Sequence, residues 1–239
     1  MRNIQAVMQR ELLALFYSPI GYIVIAGFLL ITGVSVWWTD TFAPGKPATL
    51  REVFFWTPWI LTVIVPAISM RMLSEEYRSG TIETLMTAPL SDFQMVMGKY
   101  LAALVFYLVM LATTLLYVVL MGFYGDPDWG ATAATYLGLV LIGALFSAFS
   151  VFASSLTANQ VVAWILGWVP LLLFACLAFF VVRQVEGVWR QVFQQVNVIG
   201  RFDDFSKGLI TTDGVTFFVG ATALFVFLTV KVVESRRWR

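Results

Sequence analysis

The sequence predicts an all-α, polytopic membrane protein with six transmembrane helices. Hydrophobic residues make up 60% of the 239 residues and charged residues only 12%, and the mean hydropathy is +0.85. Soluble domains carry about 25% charged residues. Six apolar segments are long enough to cross about 30 Å of hydrocarbon as helices. We therefore expect residues 1–239 to form a single transmembrane domain.

The six predicted spans follow one another with short connections. They lie near 19–38, 53–72, 97–123, 132–156, 161–182 and 214–232. Pro58 and Pro66 in the second span and Pro170 in the fifth are expected to kink their helices. The fourth and fifth spans are separated only by 156–160, which predicts a tight helical hairpin. Small residues recur in the fourth span and predict close helix packing, either within one subunit or across a dimer.

Two further segments have apolar residues at the helical spacing of an amphipathic surface helix. Residues 1–17 place Ile4, Val7 and Leu15 on one face, which predicts an elbow helix leading into the first span. Residues 183–213, between the fifth and sixth spans, predict an outer re-entrant or amphipathic segment with two short helices, the second around Phe202 to Leu209. Anchoring at the membrane surface explains both segments. A cap over the exit of a substrate path is the alternative for the outer one.

The polar stretch between the second and third spans carries dense helix-boundary signals. Gly80 lies where a helix end favours a positive φ, and Thr81 can cap a short helix running to Thr87. Pro89 stops that helix. Ser91 and Gln94 then form a capping box at the start of the third span. An ordered short helix is therefore expected at the membrane rim, where a soluble partner could push on it.

The positive charges orient the chain in the membrane. Nine of the 15 Lys and Arg residues lie on the side that the two termini share, against six on the other. Cytoplasmic loops carry the excess of Lys and Arg, so both termini are predicted to be cytoplasmic. Segment 183–213 is the exception, since it carries four basic residues on the outer side.

Several function classes are disfavoured by what the sequence lacks. Histidine is absent and Cys176 is the single cysteine, which leaves no basis for a disulfide framework, a Cys/His metal site or His-based catalysis. No charged residue falls in the middle of a predicted span, which disfavours an ion-coupled secondary transporter. The segment Gly125–Gly130 lacks the lysine of a phosphate-binding loop. We predict no catalytic or metal-binding residue in this chain, and no nucleic-acid partner.

Two blocks of residues carry a resemblance to a known family. Glu75–Leu90 contains Gly80-Thr81, Glu83, Leu85 and Pro89 in the order of the signature of ABC-2 type transporter permeases. The order of the predicted elements is also similar to that family. The runs Phe202–Ile210 and Glu234–Trp238 resemble the gliding-motility-associated group of these permeases. The resemblance covers essentially the whole chain, although only these blocks are specific.

The resemblance implies roles for individual residues. The coupling helix that docks into an ATPase subunit would include Thr81, Ile82, Glu83, Thr84, Leu85 and Met86. A polar hinge beside it would consist of Glu75, Glu76 and Arg78. A pathway between two permease subunits would be lined by Tyr22, Trp56, Trp59, Trp164 and Trp168. Aromatic residues also concentrate at membrane interfaces, and that is the competing role for this last group.

The resemblance also implies partners and a location. The chain itself would not be an enzyme, because ATP and Mg²⁺ would bind to a separate ABC ATPase subunit. A second permease copy or a paralogue would complete the membrane domain, and an auxiliary membrane subunit with a large periplasmic domain could join it. The complex would lie in the bacterial cytoplasmic (inner) membrane and export an amphiphilic or lipid-linked substrate.

One alternative function explains the uncharged spans equally well. A non-transporting membrane scaffold or assembly subunit would need no charges inside the membrane either. It does not explain a capped helix with ATPase-docking residues between the second and third spans. An ion-coupled secondary transporter is the weaker third hypothesis.

Overall fold

A computed structural model describes residues 2–39, 41, 49–82, 90–124, 127–184 and 186–236. Within these ranges the chain is helical and contains no β-strand. The helices are α1 (Arg2–Phe16), α2 (Pro19–Trp38), α3 (Arg51–Phe55), α4 (Thr57–Ser69), α5 (Arg71–Ser79), α6 (Asp92–Thr113), α7 (Leu115–Tyr124), α8 (Trp129–Leu156), α9 (Gln160–Gln184), α10 (Val188–Val196), α11 (Val198–Ser206) and α12 (Thr212–Arg236). The all-α prediction is confirmed for this part of the chain.

Five helical stretches are long and apolar enough to cross a membrane. They are Pro19–Trp38, Thr57–Ser79, Asp92–Phe123, Trp129–Leu156 and Thr212–Arg236. The predicted fifth span, 161–182, lies within α9. The apolar stretch described there, Gln160–Cys176, is shorter than the other five. A membrane protein with several spans is therefore confirmed, and the count of six stays a prediction.

Helix α8 is the centre of the bundle, with α4, α5, α6, α9, α11 and α12 packed around it. Its small residues allow this close approach. A Cβ added to Gly143 would lie 1.9 Å from the ring of Tyr107, whose hydroxyl donates to the Leu139 carbonyl at 2.7 Å. The small residues of the fourth span therefore serve packing within the subunit.

The predicted second span is built from three helices. Breaks at Trp56 and Met70 separate α3, α4 and α5, and Pro66 lies inside α4. At the second break, the Ser154 hydroxyl of α8 accepts from the backbone N–H groups of Leu73 and Ser74, each at 3.1 Å, and donates to the Met70 carbonyl at 2.8 Å. A buried side chain thus satisfies backbone groups at the point where the helix is interrupted.

The start of α6 matches its sequence signals. The Ser91 hydroxyl accepts from the Gln94 N–H at 3.2 Å, and the Gln94 side chain accepts from the Ser91 N–H at 3.4 Å. This is the predicted capping box. Gly80 ends α5 with φ +72°, as expected for a left-handed helix terminus.

The segment between α9 and α12 forms two short helices at the opposite end of the bundle from α1. Asn197 separates them and caps α11 through a 2.9 Å bond from the Gly200 N–H. The second helix therefore begins earlier than the sequence suggested, because the asparagine supplies its cap. Phe202 and Phe205 of α11 are buried beside Gly138 of α8. The short helices are thereby fixed to the central helix.

Candidate functional site: an ionic junction between three helices

A fully buried lysine lies where α1, α5 and α6 meet. The ammonium group of Lys99 donates to the Met72 carbonyl at 2.6 Å and lies 2.7 Å from Glu76 and 3.0 Å from Glu11. Its side chain has no exposed surface. An ammonium has three N–H donors, and these three oxygens match them. Because an unpaired buried charge is costly, this geometry makes Lys99 a structural link between the three helices.

The close approach of α1 to α6 brings the acidic partner from α1 within reach. A Cβ on Gly98 would lie 2.7 Å from the side chain of Val7 and 3.1 Å from the carbonyl of Ile4. Glycine at this position therefore permits the two helices to touch. Glu11 lies one helical turn beyond Val7, which places its carboxylate at Lys99.

Arg10 adds a second cation to the same group. Its guanidinium lies 2.7 Å from Oε1 of Glu76 and also contacts Glu11. We call Arg10, Glu11, Glu76 and Lys99 the ionic junction. Two cations and two carboxylates balance, so the junction is neutral as a whole. Among the described residues, Oε2 of Glu76 has no hydrogen-bond partner, although it is buried.

The carboxyl group of Glu11 titrates below its ordinary value. Burial alone would raise its pKa, but the charge of Lys99 and hydrogen bonds from Arg10 and Lys99 outweigh burial and lower the pKa. Glu11 is therefore negatively charged at neutral pH. Its charge is what allows Lys99 to remain buried.

The end of α5 is also tied to α8 and α12. The guanidinium of Arg236 lies 4.2 Å from the ring centroid of Tyr77 and donates to the Leu156 carbonyl at 2.9 Å. Stacking of a guanidinium on an aromatic ring is favourable. Helix α5 is thus held by the ionic junction on one side and by Arg236 on the other.

The three predicted hinge residues have different surroundings. Glu76 is buried in the ionic junction, whereas the Glu75 side chain is 53% exposed and pairs with Arg71 at 3.6 Å. Arg78 is exposed. The structure therefore distinguishes Glu76 from its neighbour, which the sequence alone does not.

The predicted coupling helix begins directly after Gly80. Thr81 is exposed and its hydroxyl lies 2.9 Å from that of Ser79, while Ile82 is buried. Glu83, Thr84, Leu85 and Met86 lie outside the described residues. The segment joins α5 to α6, so Glu76 precedes it and Lys99 follows it.

The predicted pathway residues do not form one group. Trp164 and Trp168 stack with their ring centroids 5.4 Å apart, and Trp164 donates to the Val63 carbonyl of α4 at 3.2 Å. Trp59 lies on α4, 5.7 Å from the ring of Phe179 on α9. These three residues share the contact between α4 and α9.

The remaining two aromatic residues are exposed on other elements. Tyr22 is 62% exposed on α2, and Trp56 is 55% exposed at the break before α4. Exposed aromatic side chains suit a membrane interface as well as a pathway. The lining of a pathway therefore stays a prediction.

Sequence reasoning missed most of the ionic junction. Arg10 and Lys99 were counted among the charges that orient the chain, Gly98-Lys99 was noted as typical of the family without a structural role, and Glu11 had no role. One signal was present: Lys99 falls inside the apolar segment predicted as the third span, where a lysine needs a partner. Within the described residues, no group of three or more His, Cys, Asp or Glu could hold a metal ion.

Comparison with known proteins identifies similar transporter components. The family model described as ABC-2 family transporter protein matches residues 56–199. Two curated relatives, from Escherichia coli strain K12 and from E. coli O157:H7, are each described as a probable multidrug ABC transporter permease, YbhR. Each is 28% identical over 156 residues, which cover 64% of this chain and 42% of the relative. The chain thus spans less than half the length of these relatives.

Proposed function

The chain belongs to the ABC-2 family of transporter permeases, and on this premise we propose that it is a membrane subunit driven by a separate ABC ATPase. The ATPase would bind ATP and Mg²⁺, and this chain would convert its movement into a change among the membrane helices. The ionic junction is the observation that carries the proposal. It links the two helices that flank the predicted coupling segment to a third helix, α1.

The route of the movement follows from the contacts. A push on residues 81–86 acts first on the end of α5, which carries Glu76. Lys99 holds Glu76 to α6 and to Glu11 of α1. Since only Tyr17 and Ser18 separate α1 from α2, the first span moves with the junction. The interruption of the helix at Met70 is the point at which α5 would tilt relative to α4.

The rest of the complex follows from the family. We propose six spans with α1 as the cytoplasmic elbow helix, both termini in the cytoplasm, and a location in the bacterial inner membrane. A second permease copy or a paralogue would pack against the exposed apolar faces of α2 and α9, where Ile23, Leu30, Val161 and Leu173 are exposed. We also propose that the chain belongs to the gliding-motility-associated group of these permeases. An auxiliary membrane subunit with a large periplasmic domain would join the same complex.

The proposed substrate is an amphiphilic or lipid-linked molecule moved outward. The relatives described as probable multidrug permeases favour an apolar or amphiphilic substrate. The described spans are apolar along most of their length, which suits such a molecule. Tyr22, Trp56, Trp59, Trp164 and Trp168 remain the candidates for its path.

Purification from native membranes tests the proposal. The tagged chain in nanodiscs should retain a partner that hydrolyses ATP, and Glu83→Arg combined with Leu85→Asp should remove that activity from the purified sample. The control variant, Glu186→Arg combined with Leu209→Asp, makes the same two changes at exposed positions at the other end of the helix bundle. It should leave the ATP hydrolysis of the purified sample unchanged. A chain that folds but purifies without ATP hydrolysis in every case would favour the scaffold instead.

A further inference from the structure

Helix α9 has a cavity on one side and a packed helix on the other. The cavity has a volume of about 350 Å³ and lies between α9 and α12, with α8 as its floor. Its walls are apolar and include Phe174 of α9, Phe146 of α8 and Leu224 of α12. On its other side α9 packs against α4. Around the central helix α8, α9 therefore lies between a close contact and an open space.

Pro170 lies at the edge of this cavity and divides α9 into two halves. Because proline has no N–H group, it cannot donate to the carbonyl of Leu166 four residues earlier, and helices bend at such points. Leu171 and Ala175 belong to the half that follows Pro170, and both line the cavity. This second half, residues 171–184, is therefore joined to the first at a weakened point, beside the space into which it can move.

The contact between α9 and α4 leaves two polar groups without partners. The indole N–H of Trp164 donates to the Val63 carbonyl at 3.2 Å. By contrast, the indole nitrogens of Trp59 and Trp168 are buried and have no hydrogen-bond partner among the described residues. A buried donor without an acceptor costs free energy. The α4–α9 contact is therefore less favourable than its aromatic packing suggests.

We propose that the second half of α9 swings around α8, away from α4 and onto α12, and closes the cavity in a second conformation. The movement separates Phe179 from Trp59, whose ring centroids lie 5.7 Å apart in this structure. It thereby opens one end of the α4–α9 contact and frees the Trp59 N–H to find an acceptor. Closure is favourable on the other side, because the cavity walls gain the dispersion contacts that a void lacks.

The movement is a property of this chain, whereas its use in transport rests on the proposed function. Opening at Trp59 would uncover a residue of the candidate substrate path. Closure is limited by the usual distance of about 8–10 Å between the axes of packed helices. The two conformations exchange one set of apolar contacts for another, so both are expected to be populated without an ATPase.

Distances between spin labels test the movement on the purified full-length chain in nanodiscs. The labels are attached at Phe180→Cys in the second half of α9 and at Val219→Cys on α12, two exposed positions, in a Cys176→Ala background. Labelled chain is diluted with unlabelled chain so that only distances within one molecule are recorded. This pair should show two distances, of which the shorter belongs to the closed cavity. A reference pair with Ile165→Cys, an exposed position in the first half of α9, should show one.

Two variants that fill the cavity should remove the shorter distance. Ala221→Phe and Ala175→Leu each enlarge a side chain that lines the cavity, so that α9 has no room to close. Gly220→Phe is the matched control, since it adds the same ring as Ala221→Phe where a Cβ meets nothing within 4 Å. It should keep both distances. The melting temperature of each variant shows that it is folded, and filling a void should not lower it.

Three outcomes would overturn the proposal. One is a single distance for the labels at positions 180 and 219. Another is two distances for the reference pair as well, which would place the movement elsewhere than at Pro170. The third is a shorter distance that persists in both filled variants. A chain that shows both distances but binds no ATPase would contradict the proposed function and leave this inference standing.

Discussion

Nζ of Lys99 lies 2.7 Å from Oε1 of Glu76, and the lysine side chain is fully buried. In the sequence, Glu76 precedes and Lys99 follows the segment between α5 and α6 that is predicted to dock the ATPase. Their pairing converts two neighbouring helix ends into one unit. Glu11 and Arg10 extend that unit to α1.

Removing the lysine should destabilise the fold. Lys99→Met leaves two carboxylates with a single cation, and breaking a buried pair costs about 3–5 kcal/mol. The melting temperature in detergent should therefore fall by about 2–4 °C per kcal/mol. Glu75→Gln, a change at the exposed neighbouring acid, should alter it little. Equal melting temperatures for Lys99→Met and the wild type would show that the junction is not structural.

The ionic junction should lose stability in acid. The pKa of Glu11 is lowered in the folded protein from its ordinary value near 4.5. A lowered pKa contributes stability above the unfolded-state value, and that stability is lost as pH falls through the folded pKa. The melting temperatures of the wild type and Glu11→Gln should therefore differ at about pH 7 and converge below about pH 4.5. A difference that grows on acidification would contradict this account.

Ser154 should matter more than the serine beside it. Ser154→Ala removes the acceptor for two buried N–H groups and a donor to the Met70 carbonyl, which should cost about 1–3 kcal/mol. Ser155 bonds only within its own helix, to the Phe152 carbonyl. Ser155→Ala is the matched control and should cost less. Thermal unfolding of the two variants in the same detergent makes the comparison, and equal effects would rule out a special role for the contact at the break.

The contact between Gly143 and Tyr107 should not tolerate an added methyl group. Gly143→Ala places a Cβ 1.9 Å from the ring of Tyr107, and overpacking of this kind costs about 1–3 kcal/mol. Gly27→Ala, where the Cβ meets nothing within 4 Å, should be neutral or slightly stabilising. Combining Gly143→Ala with Tyr107→Leu should recover part of the loss. Failure of that rescue would mean that another neighbour limits the space.

The features that sequence predicted well are local ones. The capping box at Ser91 and Gln94 and the positive φ of Gly80 depend on residues close in the chain, so their chemistry can be read directly from it. The five helices long enough to cross a membrane follow from length and apolarity in the same way. The predicted second helix of segment 183–213 began too late because the capping role of Asn197 was not recognised.

The candidate site depends on contacts that no local pattern encodes. Glu11 and Lys99 are 88 positions apart, and Arg10 and Glu76 are 66 apart. Their meeting depends on how closely α1 packs on α6, which is set by Gly98 and Val7. Glu76 was identified as polar, but nothing in the sequence separates it from the exposed Glu75. Only the fold shows which of the two is buried.

ATP hydrolysis by the purified complex in nanodiscs, compared between wild type, Glu76→Gln and Glu75→Gln, shows most directly whether the ionic junction transmits the movement. Glu76→Gln keeps the shape of the side chain but removes its charge from the junction. We expect the Glu76→Gln complex to assemble, its substrate-stimulated hydrolysis to fall about fivefold or more, and Glu75→Gln to behave as the wild type. Unchanged stimulated hydrolysis in an assembled Glu76→Gln complex would contradict the claim that the ionic junction transmits the movement.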